Sequence, residues 1–444
     1  MKQILLFGAG KSSTCLIDYL VQNAGTENWH ITIADVNTAI IEAKTNKAVC
    51  TTAVAVDINN ATAREAYIAS SDIVISLMPP SLHFLIAQSC LSAGKDLLTA
   101  SYVDEQLTGI ADEIEKKGLL FLCEMGLDPG IDHMSAMQMI DGIKAKGGTI
   151  TSFKSHCGGL VAPESDDNPW HYKISWNPRN VVLAGSAGAV YKVWDEEEEV
   201  AYEDIFSECA EIEVEGTGSF AWYPNRDSLS YIPVYKLEEA ATFIRTTLRH
   251  PAFCRAWAIL VDIEMTSNDD GEVISNCKTI AEWFNHKVTR AAGMDWEAFK
   301  MTSVKEEDQK EITEMFSWLG LFSDKQVPEN HSSSAVILQQ ILEEKLVLLP
   351  HDKDMVVMVH EIDYAIGEDE TTLVSSLVVK GLDNLRTAMA KTVGLPLGIA
   401  AKLILNGTIQ LTGLHIPIIK EIYNPVLAEL QQNGISFTET EEAL

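Results

Sequence analysis

The sequence predicts an α/β protein: an N-terminal doubly wound domain built on a parallel sheet, then a second α/β domain that is discontinuous and carries a helical insert. Three observations carry this reading. Short apolar runs alternate with helical stretches through residue 123; the rhythm breaks near residue 150; and strand-like sequence resumes only after a long helical, acidic stretch. Runs that are apolar at every position imply strands buried on both faces, the pattern of a parallel sheet covered by helices.

The whole chain sets limits first. At 444 residues it exceeds what one hydrophobic core accommodates, so two or three domains are expected. Its 46% hydrophobic and 22% charged content is ordinary for a globular protein. Lys plus Arg number 33 against 64 Asp plus Glu, a formal charge of −31. Such a surface repels phosphate backbones and anionic lipid, which argues against nucleic-acid and membrane partners and leaves a small-molecule substrate. No apolar run suggests a membrane span, and no leader pattern precedes the first strand. The eight cysteines are scattered without a CxxC pair, which predicts reduced thiols in a cytoplasmic protein and no metal site.

Six strands are expected at Ile4–Phe7, Ile31–Ala34, Ala53–Val56, Ile73–Met78, Leu97–Ala100 and Leu119–Cys123, with helices such as Thr38–Lys47 and Leu82–Ser92 between them. The first strand runs into Gly8-Ala9-Gly10-Lys11-Ser12-Ser13. This is a dinucleotide-loop pattern whose third glycine has become Ser13. Gly8 permits the tight turn, and Gly10 lets the backbone approach a pyrophosphate at the helix N-terminus, with Lys11 and Ser12 in the same loop. Asp35 ends the second strand, where a carboxylate accepts hydrogen bonds from a ribose diol. With no arginine in the following Val36-Asn37-Thr38, this predicts NAD in preference to NADP. Asp57-Ile58, Met78-Pro79 and Ser101-Tyr102 fall at the carboxyl ends of later strands, the ligand-facing edge of such a sheet.

Residues 149–160 read as a strand entering a glycine turn, followed by a polar and aromatic loop containing Trp170, His171, Tyr172 and Lys173. That loop is either a wall of a substrate pocket or a solvated loop with an aromatic anchor. Arg226 and Arg249 stand beside turn or strand residues; they are either surface ion-pair partners or clamps for carboxylates. Amphipathic helices follow in 306–322 and 332–349, and residues 354–366 and 371–381 read as a hairpin around Gly367. The final residues are helical and apolar enough to pack back on the first domain. The expected domains are therefore 1–129 with 385–444, 130–265 with 351–384, and a helical insert at 266–350.

Several phrases together are more specific than any one: ASYVDEQL, EMGLDPGIDHM, SHCGGLVAPESDDNPWHYKISWNPRNVV, YPNRDSLSY, RTTLRHPAFCRA and AKTVGLPLGIAAKLIL. In order and along nearly the whole chain, they resemble the glutamate-forming saccharopine dehydrogenases of lysine metabolism. The resemblance implies a Rossmann domain, a substrate-binding and dimerisation domain, and a homodimer. It implies an oxidoreductase that interconverts saccharopine with glutamate and 2-aminoadipate 6-semialdehyde, using NAD or NADP. His156 stands where the family usually has tyrosine, and Val161 where it usually has proline.

The resemblance also assigns roles. It places Asp128 of Leu127-Asp128-Pro129 beside the cofactor and reaction centre, and Ser101, Tyr102, Cys157, Arg226, Thr247 and Arg249 against the substrate. Asp128, Cys157 and Tyr102 are the candidates for chemistry; His133 and His171 are conventional acid–base candidates whose lone positions equally suit a structural role. Two rivals remain at this point. A carboxynorspermidine-type reductase would want an acidic pocket, and a non-catalytic dinucleotide-binding protein would need no second set of polar loops.

Overall fold

The computed structural model describes residues 1–328 and 332–444. The chain divides into two compact units, Met1–Ile150 with Tyr364–Leu444, and Thr151–Asp363. The helices between Gly271 and Lys345 belong to the second unit.

The first unit opens with β1 (Lys2–Phe7), β2 (Trp29–Asp35), β3 (Thr51–Ala55), β4 (Ile73–Ser76), β5 (Asp96–Thr99) and β6 (Leu120–Leu122). All six lie in one parallel sheet, as the continuous apolar runs predict. The helices α1 (Thr14–Glu27), α2 (Thr38–Thr45), α3 (Ala61–Ala69) and α4 (Pro80–Ala93) separate them. Asn37 caps α2 and Asn60 caps α3 through side-chain oxygens, so polar residues between the apolar runs mark where each helix starts. Strands four to six end one or two residues earlier than expected.

The second unit carries β7 (Thr149–Val161), whose first two residues are counted with the first unit, then β8 (Ala189–Val193), β9 (Glu196–Val200), β10 (Ala210–Val214), β11 (Gly218–Pro224), β12 (Arg226–Asp227), β13 (Thr242–Arg249) and β14 (Asp354–Ile366), whose last three residues are counted with the first unit. Its main sheet runs β10-β11-β13-β7-β14. The glycine turn expected within residues 149–160 does not form. Gly158 instead sits inside β7, where an added Cβ would lie 2.7 Å from the Leu248 carbonyl oxygen, so the glycine is there for close approach of β13. Below this sheet an aromatic core gathers Trp170, Phe253, Trp257, Trp283, Phe284 and Phe316. Trp170 is fully buried and donates from Nε1 to the Met315 carbonyl at 3.0 Å. It therefore anchors its loop in the core and is not part of a pocket wall.

The chain returns to the first unit with β15 (Asp369–Lys380), β16 (Gly413–His415) and β17 (Thr438–Ala443). The short β16 joins β6 in parallel and completes a seven-stranded sheet, β16-β6-β5-β4-β1-β2-β3. At three residues it lacks an apolar run long enough to be seen in the sequence. The helix Ala388–Leu405 packs on α1 as expected, with Gly394 and Gly398 against Leu16 and Tyr19. By length and composition this helix is apolar enough to cross a membrane, contrary to the expectation that no run reaches that length; 72% of that window is buried within the protein.

Candidate functional site

The dinucleotide loop folds as the glycine spacing requires. Gly8 has φ +98°, a conformation side chains rarely adopt, and a Cβ there would lie 2.8 Å from the Leu77 carbonyl oxygen. A Cβ on exposed Gly10 would meet nothing within 4 Å, which leaves open space before Lys11–Ser13 and α1. Ser13 is buried, and its hydroxyl donates to the Gly10 carbonyl at 2.9 Å, so the serine in the third-glycine position braces the loop. Lys11 is exposed and Ser12 half-buried at the start of the same turn.

Asp35 ends β2 as expected, yet both carboxylate oxygens serve the protein. One accepts from Ala9 N–H at 2.8 Å and the other from Asn37 N–H at 3.1 Å. The acid thus ties the glycine loop to the start of α2. The sequence reading missed Lys44 on α2: its ammonium donates to the Gly10 carbonyl and, at 3.0 Å, to Ser13 Oγ. Burial lowers its pKa to about 8, against the opposing pull of Asp35. No charge pattern in the sequence marks this residue, because an isolated lysine on a helix is ordinarily a surface residue.

Of the remaining cofactor candidates, Asp57 turns its carboxylate back to the Asn59 amide at 2.9 Å, and the Ile58 side chain is buried in the core. Met78 is half-buried beside Gly8, and Pro79 is exposed at the start of α4.

The ends of β5 and β6 are stitched together. Met125 N–H donates to the Thr99 carbonyl and Glu124 N–H to the Ser101 carbonyl, each at 3.0 Å. Leu127, Asp128 and Pro129 follow in a tight loop that contains a cis Asp128–Pro129 bond. Leu127 and Pro129 are buried, while Asp128 is half-buried. Beneath the loop, His133 Nε2 lies 2.8 Å from Glu124 Oε2, and Asp132 Oδ1 accepts from Gly130 N–H at 2.6 Å. Fully buried and held between carboxylates, His133 supports this loop. Ser101 and Tyr102 are half-buried at the same sheet edge. Ser101 Oγ meets His83 Nε2 at 2.7 Å, a histidine that sequence reasoning passed over.

In the second unit the expected substrate residues fall on neighbouring strands. Cys157 on β7 is registered with Thr247 on β13, and Thr247 in turn with Tyr223 on β11. Arg249 ends β13, is only 3% exposed, and lies 5.1 Å from the Tyr172 ring centroid and 5.8 Å from that of Phe253. One guanidinium nitrogen donates to the Leu248 carbonyl at 2.8 Å, while Nε has no hydrogen-bond partner among the described residues. No carboxylate pairs with it there. Burial pushes the neighbouring Tyr223 phenol up to about 12, so it is a neutral donor at physiological pH.

Arg226 differs. It is exposed, has a left-handed backbone conformation at the start of β12, and lines a separate cavity of about 430 Å³ with Ser186, Glu199, Tyr202 and Asp227. His171 pairs with Asp166 at 2.6 Å and stacks on His250, and Lys173 is held by Asp352 and Asp167 at 2.7 and 2.8 Å. His156 occupies the opposite side of β7 from Cys157, bonded to Thr246 at 2.7 Å and to Glu361 at 3.0 Å. Among the described residues no His, Cys, Asp or Glu group is arranged to hold a metal, and no disulfide joins any of the eight cysteines.

The geometry can bind a dinucleotide in the first unit and an anion in the second. Comparison with known proteins gives this a frame. Residues 4–122 match the model of the saccharopine dehydrogenase NADP binding domain, and residues 126–435 that of the saccharopine dehydrogenase C-terminal domain. The saccharopine dehydrogenase [NADP(+), L-glutamate-forming] of Saccharomyces cerevisiae is 35% identical over 97% of both chains. The mitochondrial alpha-aminoadipic semialdehyde synthase of Bos taurus is 34% identical over 98% of this chain, which spans 47% of the bovine protein. The apo structure of the yeast saccharopine dehydrogenase (L-Glu forming) superimposes over 100% of both chains with a TM-score of 0.90 at 33% identity. Two family models in tandem, a full-length relative and a full-length structural match agree. The chain belongs to the saccharopine dehydrogenase family of nicotinamide-dependent oxidoreductases.

Proposed function

We propose that the protein interconverts L-saccharopine with L-glutamate and 2-aminoadipate 6-semialdehyde. The observation that carries this is Arg249: a buried guanidinium with no carboxylate partner among the described residues. A buried charge without a counter-ion costs several kcal/mol, so its natural complement is an anionic ligand group. Saccharopine, a secondary amine with three carboxylates, supplies such a group, whereas the mostly cationic substrate of a carboxynorspermidine-type rival carries a single carboxylate and asks for an acidic pocket.

Bound nicotinamide supplies the hydride acceptor, and the protein aligns, deprotonates and clamps. Arg249 fixes a substrate carboxylate, with the neutral Tyr223 phenol and Cys157 beside it. Asp128, at the ligand-facing edge of the parallel sheet, takes the proton from the secondary amine so that the C–N bond can be oxidised. Water then adds to the resulting iminium carbon, and the carbinolamine collapses to amine and aldehyde. Ser101 and Tyr102, at the same edge, orient the polar groups around that carbon.

The cofactor reading changes from the one Asp35 suggested. The matching N-terminal model is that of an NADP binding domain, and the yeast relative is named for NADP(+). With both Asp35 oxygens engaged by backbone N–H groups and the Lys44 ammonium inside the loop, we take NADP as the preferred cofactor. The residues fit a dinucleotide: Gly10 is open, and the first turn of α1 begins beside it. The test is to compare initial rates on saccharopine with those on an amine lacking its carboxylates, using each dinucleotide. Equal rates on both amines would remove the anion-binding role of Arg249, and a higher kcat/KM with NAD would return the cofactor assignment to Asp35.

A further inference from the structure

His83 is almost fully buried on α4, in the first unit, and both of its ring nitrogens meet hydroxyls. Nδ1 lies 2.8 Å from Ser76 Oγ, at the end of β4; Nε2 lies 2.7 Å from Ser101 Oγ, just past the end of β5. Thr99 Oγ1 completes the cluster at 3.4 Å from Nδ1 and accepts from the Ser101 amide at 3.2 Å. Burial lowers the ring to a pKa of about 4, so it is neutral at the pH where the enzyme operates.

A neutral imidazole has one N–H donor and one acceptor. It cannot treat both serines alike: one hydroxyl donates to the ring and the other accepts from it. The Ser101 carbonyl is already taken by Glu124 N–H and its amide by Thr99. With one hydrogen-bonding position of its hydroxyl committed to the ring, Ser101 turns the remaining ones to the sheet edge: two lone pairs if it donates to the imidazole, its proton and one lone pair if it accepts.

Resting on the functional reading above, we infer that His83 is a positioning residue that orients the Ser101 hydroxyl toward the bound substrate by bridging it to Ser76. No catalytic contact by the imidazole itself is involved. A purely structural histidine would instead act through fold stability, and the two roles separate in a double-mutant cycle.

The experiment uses the full chain and reads kcat/KM for saccharopine, dinucleotide Kd by fluorescence titration, and Tm. His83→Leu and Ser101→Ala are each expected to lower kcat/KM about tenfold or more, with dinucleotide Kd within about twofold of wild type. The double variant should be no worse than the weaker single one, and His83→Gln, which keeps one hydrogen-bonding group near Nε2, should recover most of the loss. If His83→Leu does not fold, His83→Asn takes its place in the same cycle. Losses that multiply in the double variant, or a His83→Leu variant with wild-type kcat/KM, would overturn the inference while the wild type still oxidises saccharopine. A wild type that does not oxidise saccharopine overturns the functional reading and this inference with it.

Discussion

Arg249 holds its guanidinium carbon 5.1 Å above the Tyr172 ring and is 3% exposed, with no acidic partner among the described residues. Arg226, in the same unit, is exposed. Similarity to the family treats these two arginines alike, but their environments differ in dielectric. Charge-assisted hydrogen bonds contribute about 1.5–3 kcal/mol when desolvated, whereas an exposed pair contributes about 0–1 kcal/mol.

Arg249→Met should therefore raise KM for saccharopine about ten- to a hundredfold and leave dinucleotide Kd nearly unchanged, while Arg226→Ala should change KM only a few-fold. Steady-state kinetics on the two folded variants decide this. Equal effects would mean that burial does not set the strength of the anion site.

Lys44 offers a test of cofactor choice. Its ammonium is part-buried against the glycine loop, near Asp35. Lys44→Met should raise KM for NADP by about tenfold and KM for NAD by much less, because one phosphate more is left without a nearby cation. A parallel rise for both dinucleotides would make Lys44 a brace of the loop and nothing more.

Much of this fold was legible in the sequence because it rests on local rules. Continuous apolar runs specified the first six parallel strands, and the helical stretch expected from Thr38 begins there as α2. What stayed hidden depends on contacts distant in the chain. Gly158 resembles a turn residue until Leu248 of β13 is placed 2.7 Å from its missing Cβ. Trp170 resembles a loop aromatic until Met315, 145 positions away, accepts its indole N–H. His83 and Lys44 look like ordinary helix residues, and only the strand ends and loop they reach reveal their partners. Asp35 was correctly placed, but its backbone partners could not be read from spacing.

Gly158→Ala should then destabilise the second unit. The new methyl would sit 2.7 Å from both Leu248 Cβ and the Leu248 carbonyl oxygen, so β7 and β13 must separate. Overpacking of this kind costs about 1–3 kcal/mol, visible as a lower Tm by calorimetry. An unchanged Tm would show that the two strands tolerate a wider spacing.

His83 makes stability pH-dependent. Its folded pKa is lowered to about 4 by burial, below the unfolded value of about 6.5. The unfolded chain therefore binds the proton first, so stability present above pH 6.5 is lost as pH falls toward 4. At about 1.4 kcal/mol per unit, the loss approaches roughly 3 kcal/mol. His83→Gln should lack this component: the stability difference between variant and wild type, from urea unfolding, should shift in the variant's favour between pH 6.5 and 4. A difference that stays constant with pH would contradict the buried, neutral state of the ring.

The central claim is oxidation of saccharopine at the C–N bond that releases glutamate. The most direct measurement is to incubate purified protein with L-saccharopine and NADP, follow reduced dinucleotide by absorbance, and identify the products by mass spectrometry. L-glutamate and 2-aminoadipate 6-semialdehyde are expected in equal amounts, matched one to one by reduced dinucleotide. Release of lysine and 2-oxoglutarate would contradict the assignment, because the bond on the other side of the nitrogen would have been broken; absence of any reduction would contradict the proposed activity itself.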